Sequence, residues 1–398
     1  MRKGLRIKKS VLQHLSQLNY FQEIEEKGNY IVRQPGTSDV PFSDYSVSFV
    51  IPVRKEFKAM AKGRRHVSLK DLALEIGVSI STVSRALNNH PDISPEMTKK
   101  VQKLAAEMNY TPNPLAMGLL KQATRMIGVI VPDLVTHFYS SIISGIEEIA
   151  EERGYYILIA ASNETLKKEI KIVENLLKTR VEGLIVCLSQ ETTNYQHFDR
   201  LINNQIPLVF FDRVCRTDEV PSVVVDNVAA AIQITKHFYE NGYDRIACIA
   251  GPEHLNISEE RTRGYLSGLN DCGLEYRPEF IEKCNMSAQE AVKACSRLLD
   301  LPEKPNAILA INDTVAFATM KEIKRRGLRI PEDVALVGFA DEYHATLVDP
   351  PLSSMTHPTF EMGQEAARLF FKQIENPEAK PEQVVLNTIL VARSSSGR

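Results

Sequence analysis

Between residues 67 and 110 the apolar residues recur at helical spacing in three short segments. Each segment presents one apolar face and one polar face, which is typical of a helix that packs against neighbours. The apolar positions are Leu69, Leu72, Ala73 and Ile76, then Val83, Ala86 and Leu87, and then Met97, Val101, Leu104 and Met108. The pattern therefore predicts a small unit of three helices.

The boundaries of these helices carry capping signals. Ser68 is followed three residues later by Asp71, the spacing of a capping box, and Gly77 is suited to the left-handed turn that ends a helix. Ser79 is placed to cap the second helix, and Ser94 caps the third ahead of Pro95. The first two helices, joined by so short a turn, are predicted to form a helix-turn-helix.

The polar face of the second helix is predicted to carry small hydrogen-bonding side chains and one arginine: Ser81, Thr82, Arg85 and Asn88. Base edges in the major groove of DNA present donors and acceptors that such side chains can reach. This face therefore indicates a DNA-reading helix. A helical hairpin with a glycine turn and no role in DNA binding is the alternative that the pattern leaves open.

From Met126 onward, apolar runs of strand length alternate with amphipathic helical runs. Such alternation predicts parallel sheets covered by helices on both faces. The first set is IGVIVP, YYILIAA, GLIVCL and PLVFF; the second is SVVVD, IACIAG, AILAI and ALVGF; a helix at Glu361–Glu375 and a strand near Val384–Val391 follow. We therefore expect two doubly wound sub-domains within 125–398, one of 125–220 plus 355–385 and one of 222–345.

Ligands of open parallel sheets bind beyond the carboxyl ends of the strands, and two facing sheets form a cleft there. Polar and aromatic residues follow these strand ends: Asp133, His137, Phe138, Asp212, Arg213, Asp226, Asn227, Arg261, Arg263, Asn312 and Asp313. Arg263 is the favoured ligand contact. For Asp212, Asp226 and Asp313, helix capping is an equal alternative to ligand binding.

Charge is unevenly distributed along the chain, whose formal net charge is −2. Residues 60–125 contain ten basic and five acidic side chains, whereas residues 126–398 contain 28 and 39. A basic segment ahead of an acidic domain favours phosphate binding at one end. Residues 1–65 have no lasting periodicity beyond a short helix expected near Val11–Glu26, and are interpreted as a flexible arm or a mis-assigned start.

Several classes of protein are disfavoured. No apolar run has the length of a membrane span, and the basic N-terminus lacks the pattern of a secretory signal. The six cysteines form no CxxC pair and no Cys/His cluster, which favours a reducing, cytoplasmic location without zinc. The chain has no GxGxxG after its first strand, no Walker loop and no GxSxG, so we expect no enzyme, no cofactor and no metal.

Over about 66–395 the sequence resembles the lactose-repressor (LacI/GalR) family of bacterial transcription regulators. The resemblance rests on VSLKDLALEIGVSISTVSRALN, SPEMTKKVQKLAAEMNYTPNPLA, RMIGVIVPD, PLVFFDR, VVVDN, ERTRGY, AINDTVAFATM, PEDVALVGFAD and ARSSS. It implies a head at 66–112 that binds the major groove, a hinge helix at 113–124 that enters the minor groove, and an effector-binding domain like the periplasmic sugar-binding proteins.

The resemblance also implies site residues. For DNA they are Lys70, Ser79, Ile80, Ser81, Thr82, Ser84, Arg85 and Asn88 in the head, and Asn113, Ala116 and Leu119 in the hinge. For the effector they are His137, Phe138, Arg213, Arg263 and Asp313. Lys70 departs from the family pattern and is expected to contact phosphate only. No leucine-heptad tail follows Arg393, so we do not expect the extra helix that makes some members of the family tetramers.

These observations predict a homodimeric, sequence-specific transcriptional repressor whose operator affinity responds to a small molecule in the cleft. A sugar or sugar derivative is the expected effector, although Arg213 and Arg263 would equally serve a phosphate or carboxylate. A cytosolic solute-binding protein without an operator is the main alternative. An enzyme on a doubly wound fold is the other.

Overall fold

A computed structural model describes residues 67–110 and 124–397, and the backbone of two short strands in the N-terminal segment. These strands, β1 (Gln22–Glu26) and β2 (Asn29–Arg33), form an antiparallel hairpin. The helix expected at Val11–Glu26 is therefore wrong over residues 22–26. The rest of residues 1–66 and the predicted hinge at 113–123 lie outside the described residues.

The head, residues 67–110, contains the three predicted helices. They are α1 (Leu69–Ile76), α2 (Ile80–Leu87) and α3 (Pro95–Glu107). Ser68 and Asp71 form the predicted capping box, and Gly77 ends α1 at φ 79°. The three helices bury a small apolar core of Leu72, Ala73, Val83, Ala86, Val101 and Ala105. The prediction of a helix-turn-helix and of its capping residues is thus confirmed.

The α/β domain, residues 124–397, contains two six-stranded sheets. The first sheet is parallel throughout and has the order β13-β7-β6-β5-β3-β4. Its strands are β3 (Met126–Val131), β4 (Tyr156–Ala161), β5 (Gly183–Val186), β6 (Leu208–Phe211), β7 (Ser222–Val225) and β13 (Gln383–Leu386). The accompanying helices are α4 (His137–Glu152), α5 (Leu166–Lys178), α6 (Asp199–Asn203) and α11 (Thr359–Glu375).

The second sheet has the order β14-β12-β11-β10-β8-β9 and is parallel except for the β12–β14 pair. Its strands are β8 (Ile246–Ala250), β9 (Ile281–Lys283), β10 (Ala307–Ala310), β11 (Ala335–Ala340), β12 (Ser353–Thr356) and β14 (Leu390–Val391). The accompanying helices are α7 (Asn227–Glu240), α8 (Asn256–Asp271), α9 (Ala288–Asp300) and α10 (Asp313–Arg325).

Two sequence assignments need correction. Strand β7, expected to open the second sub-domain, pairs with β6 in the first sheet. The strand expected near Val384–Val391 is two strands, β13 in the first sheet and β14 in the second. Between residues 124 and 397 the chain therefore passes three times between the sheets, once after each of β7, β12 and β13. An apolar run predicts a buried strand but does not show which neighbour it pairs with.

Helices α4 and α11 of the first sub-domain approach each other through glycine. A Cβ added to Gly363 would lie 2.0 Å from the backbone oxygen of Ile142, and one added to Gly145 would lie 2.1 Å from the oxygen of Phe360. Backbone atoms cannot rotate away as a side chain can, so the two helices would have to separate.

We therefore expect Gly363→Ala to lower the free energy of unfolding by about 2–4 kcal/mol, at the upper end of the usual cost of overpacking. Chemical denaturation of the full-length protein measures it. Glu361→Ala, an exposed change two residues earlier in α11, is the matched control and should cost less than about 0.5 kcal/mol. Equal stability of the two variants would contradict the close helix contact.

Candidate DNA-reading helix and ligand cavity

The outward face of α2 carries most of the predicted DNA contacts of the head. Ile80 is 48% exposed, and Ser81, Arg85 and Asn88 are also exposed, while Thr82 and Ser84 are half-buried. Lys70 is exposed on α1. The head thus presents an apolar and hydroxyl surface in the first turn of α2 and a guanidinium group in its last turn.

Two of these side chains also serve the helix itself. Ser79 caps α2 by accepting a hydrogen bond from the backbone N–H of Thr82 at 3.1 Å, and its hydroxyl lies 2.7 Å from that of Ser81. The amide of Asn88 donates to the backbone oxygen of Ser84 at 2.8 Å. Among residues 67–110 and 124–397, the guanidinium of Arg85 has only a 3.7 Å ion pair, with exposed Asp92. Because exposed pairs are weak, the guanidinium of Arg85 is readily available to another partner.

The predicted hinge contacts Asn113, Ala116 and Leu119 lie outside the described residues. Their roles stay predictions, as do the individual DNA contacts of the head.

A cavity of about 220 Å³ lies at the carboxyl ends of the strands, where the two sub-domains face each other. The first sub-domain contributes Asp133, Thr136, Phe138, Tyr139, Glu164, Gln190, Asp212 and Arg213. The second contributes Ile257, Arg261, Asn285, Met286, Ser287, Asn312, Thr314, Phe339, Ala340 and Glu342, and His357 follows β12. The predicted cleft is thus present, at a volume below that of most pockets for drug-sized ligands.

Two of the five predicted effector residues, Phe138 and Arg213, line this cavity. Arg213 is buried, and its Nη1 donates to both carboxylate oxygens of Glu164, at 3.0 and 2.8 Å, and to the backbone oxygen of Leu188 at 3.3 Å. Its Nε has no hydrogen-bond partner. One side of the guanidinium is therefore neutralised within the protein while one N–H remains unpaired.

The prediction that Arg263 faces the cleft is wrong, because the arginine of α8 that lines the cavity is Arg261. Arg263 is 56% exposed and pairs with Glu259 one turn away. Arg261 is 3% exposed; its Nε donates to Asn227 at 2.9 Å, its Nη1 donates to the backbone oxygen of Ile311, and its guanidinium stacks 3.6 Å from the ring centre of Phe339. Residues two apart on a helix face different directions, so only one of the pair could reach the cavity.

His137 and Asp313 do not line the cavity either. The exposed ring of His137 lies 6.4 Å from that of Tyr343. Asp313 is fully buried behind the wall, where it accepts hydrogen bonds from the hydroxyl of Ser354 and the backbone N–H of Glu342, both at 2.7 Å. It therefore positions the loop that carries Glu342. The neighbours of Asp313, Asn312 and Thr314, are the ones in the cavity wall.

His357 was not predicted, and it occupies the centre of the aromatic wall. Its ring contacts Phe138 and Phe339 edge-on, with centroids 5.3 and 5.2 Å away. Burial, and then the charge of Arg261, holds the pKa of His357 well below its usual value, so the ring is neutral. Neither ring nitrogen has a hydrogen-bond partner in the part of the chain that the structure describes. A buried neutral imidazole offers one donor and one acceptor, and leaving them unpaired is costly, so both are available to a ligand.

Carboxylates also line the cavity, and one oxygen of Asp212 lies 3.9 Å from Nε2 of His357. Burial is the main cause that raises the pKa of Glu342 to about 7, and the nearby charges of Asp313 and Asp133 contribute in the same direction. Burial is also the main cause that raises the pKa of Asp313 to about 6. No hydrogen-bond donor contacts the carboxylate of Glu342 among the described residues. This group therefore changes charge near neutral pH.

A pH dependence of stability follows from Glu342. In the unfolded chain it loses its proton near pH 4.5, whereas the folded protein holds the proton up to about pH 7. The free energy of unfolding should therefore fall as pH rises through this window and level off above it. In Glu342→Gln the pH-dependent decrease in the free energy of unfolding should be smaller by about 1–2 kcal/mol, after allowance for solvent screening. Denaturation of both full-length proteins between pH 5 and 8 measures it, and parallel curves would contradict it.

The sequence correctly predicted some of the other polar residues that line the cavity and missed others. Asp212 and Asn312, predicted from their place after a strand, line the cavity, and Asn312 also caps α10. Asp226 caps α7, as in the alternative to ligand binding that the sequence left open for it. Glu164 and Gln190 were missed because they follow strands β4 and β5 by several residues. No spacing signal in the sequence marks such loop positions.

Within the described ranges no helix has the length and apolar content of a membrane span. In the same residues no group of three acidic, histidine or cysteine side chains is arranged to hold a metal ion.

Two family models match the chain. Residues 68–113 match the bacterial regulatory proteins of the lacI family, and residues 124–393 match the periplasmic binding proteins and sugar binding domain of the LacI family. The two matches divide the chain where the structure divides it, between the head and the α/β domain.

Similar proteins cover nearly the same region. The HTH-type transcriptional repressor CytR of Escherichia coli (strain K12) is 33% identical over 83% of this chain and 96% of its own length. Catabolite control protein A of Priestia megaterium is 31% identical over 80% of this chain and 96% of its own. The lac repressor dimer bound to operator and the anti-inducer ONPF is 26% identical, with a TM-score of 0.72 over 84% of this chain and 100% of that one. The chain belongs to the LacI family of bacterial regulatory proteins.

Proposed function

We propose that this protein is a homodimeric, sequence-specific transcriptional repressor whose operator affinity is set by a small molecule in the cavity. One observation carries the proposal: a single chain joins a helix-turn-helix with an exposed polar reading face to a two-sheet domain with a buried polar cavity. Each half of a pseudo-palindromic operator would bind one head of the dimer. The predicted contacts at Ile80, Ser81, Thr82 and Arg85 would distinguish bases or hold the phosphates.

Contacts across the cleft support a role for its closure. The side chain of Asn256, at the start of α8, donates to the backbone oxygen of Asp212 at 3.1 Å and accepts from the N–H of Val214 at 3.0 Å. A ring nitrogen of His254 lies 2.6 Å from the backbone oxygen of Gln190. These bonds join the two sub-domains beside the cavity, so a ligand that contacts both walls would favour the closed arrangement.

The effector is proposed to be a sugar or a sugar derivative. The cavity combines aromatic edges with buried donors and acceptors, the composition that hydroxyl-bearing rings require. Effector and operator then affect each other's binding equally, by about 1–3 kcal/mol in most allosteric proteins.

The experiment has two steps. Thermal-shift screening of the full-length protein against sugars, nucleosides and their derivatives identifies stabilising ligands, and each of these is then added to an operator titration. We expect at least one ligand to change operator affinity by about 5-fold or more. A ligand that stabilises the protein and leaves operator affinity unchanged would contradict the coupling.

A solute-binding protein without an operator is the second candidate, since the α/β domain alone would suit it. The basic head provides a test that distinguishes this candidate from the repressor. A DNA-binding protein should bind duplexes with an affinity that falls steeply as salt is added, whereas a solute-binding protein should not. Titration of a DNA duplex at two salt concentrations tests this directly.

A further inference from the structure

The balance of charges and hydrogen-bonding groups in the cavity restricts the class of ligand. We infer that the cavity selects an uncharged or cationic ligand rich in hydrogen-bond donors, and that it rejects ionised phosphates and carboxylates. This inference rests on the proposed function only in treating the cavity as the effector site.

The first argument concerns the two arginines, which would be the natural partners of an anion. Arg213 is held by both oxygens of Glu164. Among acidic side chains, Asp212 does most to favour the charged form of Arg261, whose Nε bonds to Asn227 and whose Nη1 bonds to the backbone oxygen of Ile311. The charge of Arg213 is thus compensated by Glu164, and two N–H groups of Arg261 already have acceptors inside the protein. An oxyanion would have to displace these partners before it could form a bidentate contact.

The second argument concerns the net charge of the wall. Its charged side chains are four carboxylates, of Asp133, Glu164, Asp212 and Glu342, and two guanidinium groups. With His357 neutral, the wall is net negative when these carboxylates are ionised. A buried anion would meet this charge in a medium where charges interact more strongly than in water.

The third argument concerns what remains unpaired. The carboxylate of Glu342, the side-chain oxygen of Gln190 and one ring nitrogen of His357 are acceptors without donors. Among the fully buried side-chain atoms of the described wall, the unpaired donors are the Nε of Arg213 and the other nitrogen of His357. Hydroxyl and amino groups can supply the missing donors, whereas a fully ionised phosphate only accepts hydrogen bonds.

Inorganic phosphate is the first probe, and the test uses the full-length protein at constant ionic strength. We expect no saturable binding by the wild type in calorimetry. Glu164→Gln removes the charge that compensates Arg213 and should create a phosphate site of millimolar or better affinity. Glu191→Gln, an exposed change in the loop after β5 and outside the cavity, is the matched control and should behave as the wild type.

Two results would overturn the inference. One is wild-type binding of phosphate as tight as that of Glu164→Gln, with loss of that binding in Arg261→Lys. The other is absence of binding in Glu164→Gln when its thermal midpoint shows that it is folded. If Glu164→Gln does not fold, Glu342→Gln replaces it, because that change also removes a negative charge from the wall.

Matched ligand pairs give the second test: ribose with ribose 5-phosphate, glucose with glucose 6-phosphate, and cytidine and adenosine with their monophosphates. We expect any parent compound that binds to do so at least 100-fold more tightly than its phosphate. A phosphorylated ligand that binds more tightly than its parent compound would contradict the inference. Failure of the proposed function would be distinct, since it would show as absence of duplex binding whatever these ligands do.

Discussion

Arg85→Ala should weaken operator binding more than any other single change in the head. A charged contact to a base or phosphate contributes about 1–3 kcal/mol, and a dimer has two copies of it, so the expected loss is about 2–6 kcal/mol. This corresponds to a fall in affinity of between about 30-fold and about 20,000-fold. Fluorescence titration of an operator duplex at fixed salt measures it.

The same variant should remain folded, since Arg85 is 56% exposed and has only a long ion pair with Asp92. Lys103→Ala is the matched control. It removes another exposed basic side chain of the head, on α3, whose ion pair with Glu107 is 3.9 Å long. We expect operator affinity within about 3-fold of wild type for this control, because a lone distant charge adds little under salt screening. Equal losses in both variants would mean that α2 has no special role.

Arg261→Lys should abolish the response to the effector and preserve operator binding. Lysine keeps the charge but loses the planar fork that bonds to Asn227 and Ile311 and stacks on Phe339. Loss of charged hydrogen bonds and of the stacked wall is expected to weaken effector binding by about 10- to 100-fold or more. Calorimetry with a ligand from the thermal-shift screen measures the affinity, and operator titration with that ligand measures the response.

Arg263→Ala is the control that separates the two arginines of α8. Because its side chain is exposed and bonded only to Glu259, the variant should bind effector and operator as the wild type does. A loss of response in Arg263→Ala with a normal response in Arg261→Lys would reverse our assignment of the cavity arginine.

The sequence predicted local structure well because local structure has local causes. Ser68, Asp71 and Gly77 determine the ends of α1 through contacts within a few residues, and the alternation of apolar runs with helical segments marked most of the strands. The pairing of β7 and the division of the last strand could not be predicted in this way. They depend on contacts between distant parts of the chain.

The cavity shows the same limit at the level of single side chains. Position after a strand correctly indicated Asp212, Arg213 and Asn312. It did not distinguish Arg261 from Arg263, since the orientation of a helix about its axis depends on packing against its neighbours. His357 gave no signal at all, because its role depends on the meeting of two aromatic walls from different sub-domains.

Selection of random-sequence duplexes by the full-length protein at physiological ionic strength tests the central claim most directly. We predict enrichment of a pseudo-palindromic motif, with a base preference in each half-site that changes when Ile80 and Ser81 are replaced together. A bound pool no different in sequence from the starting library would contradict the assignment of this protein as a sequence-specific regulator.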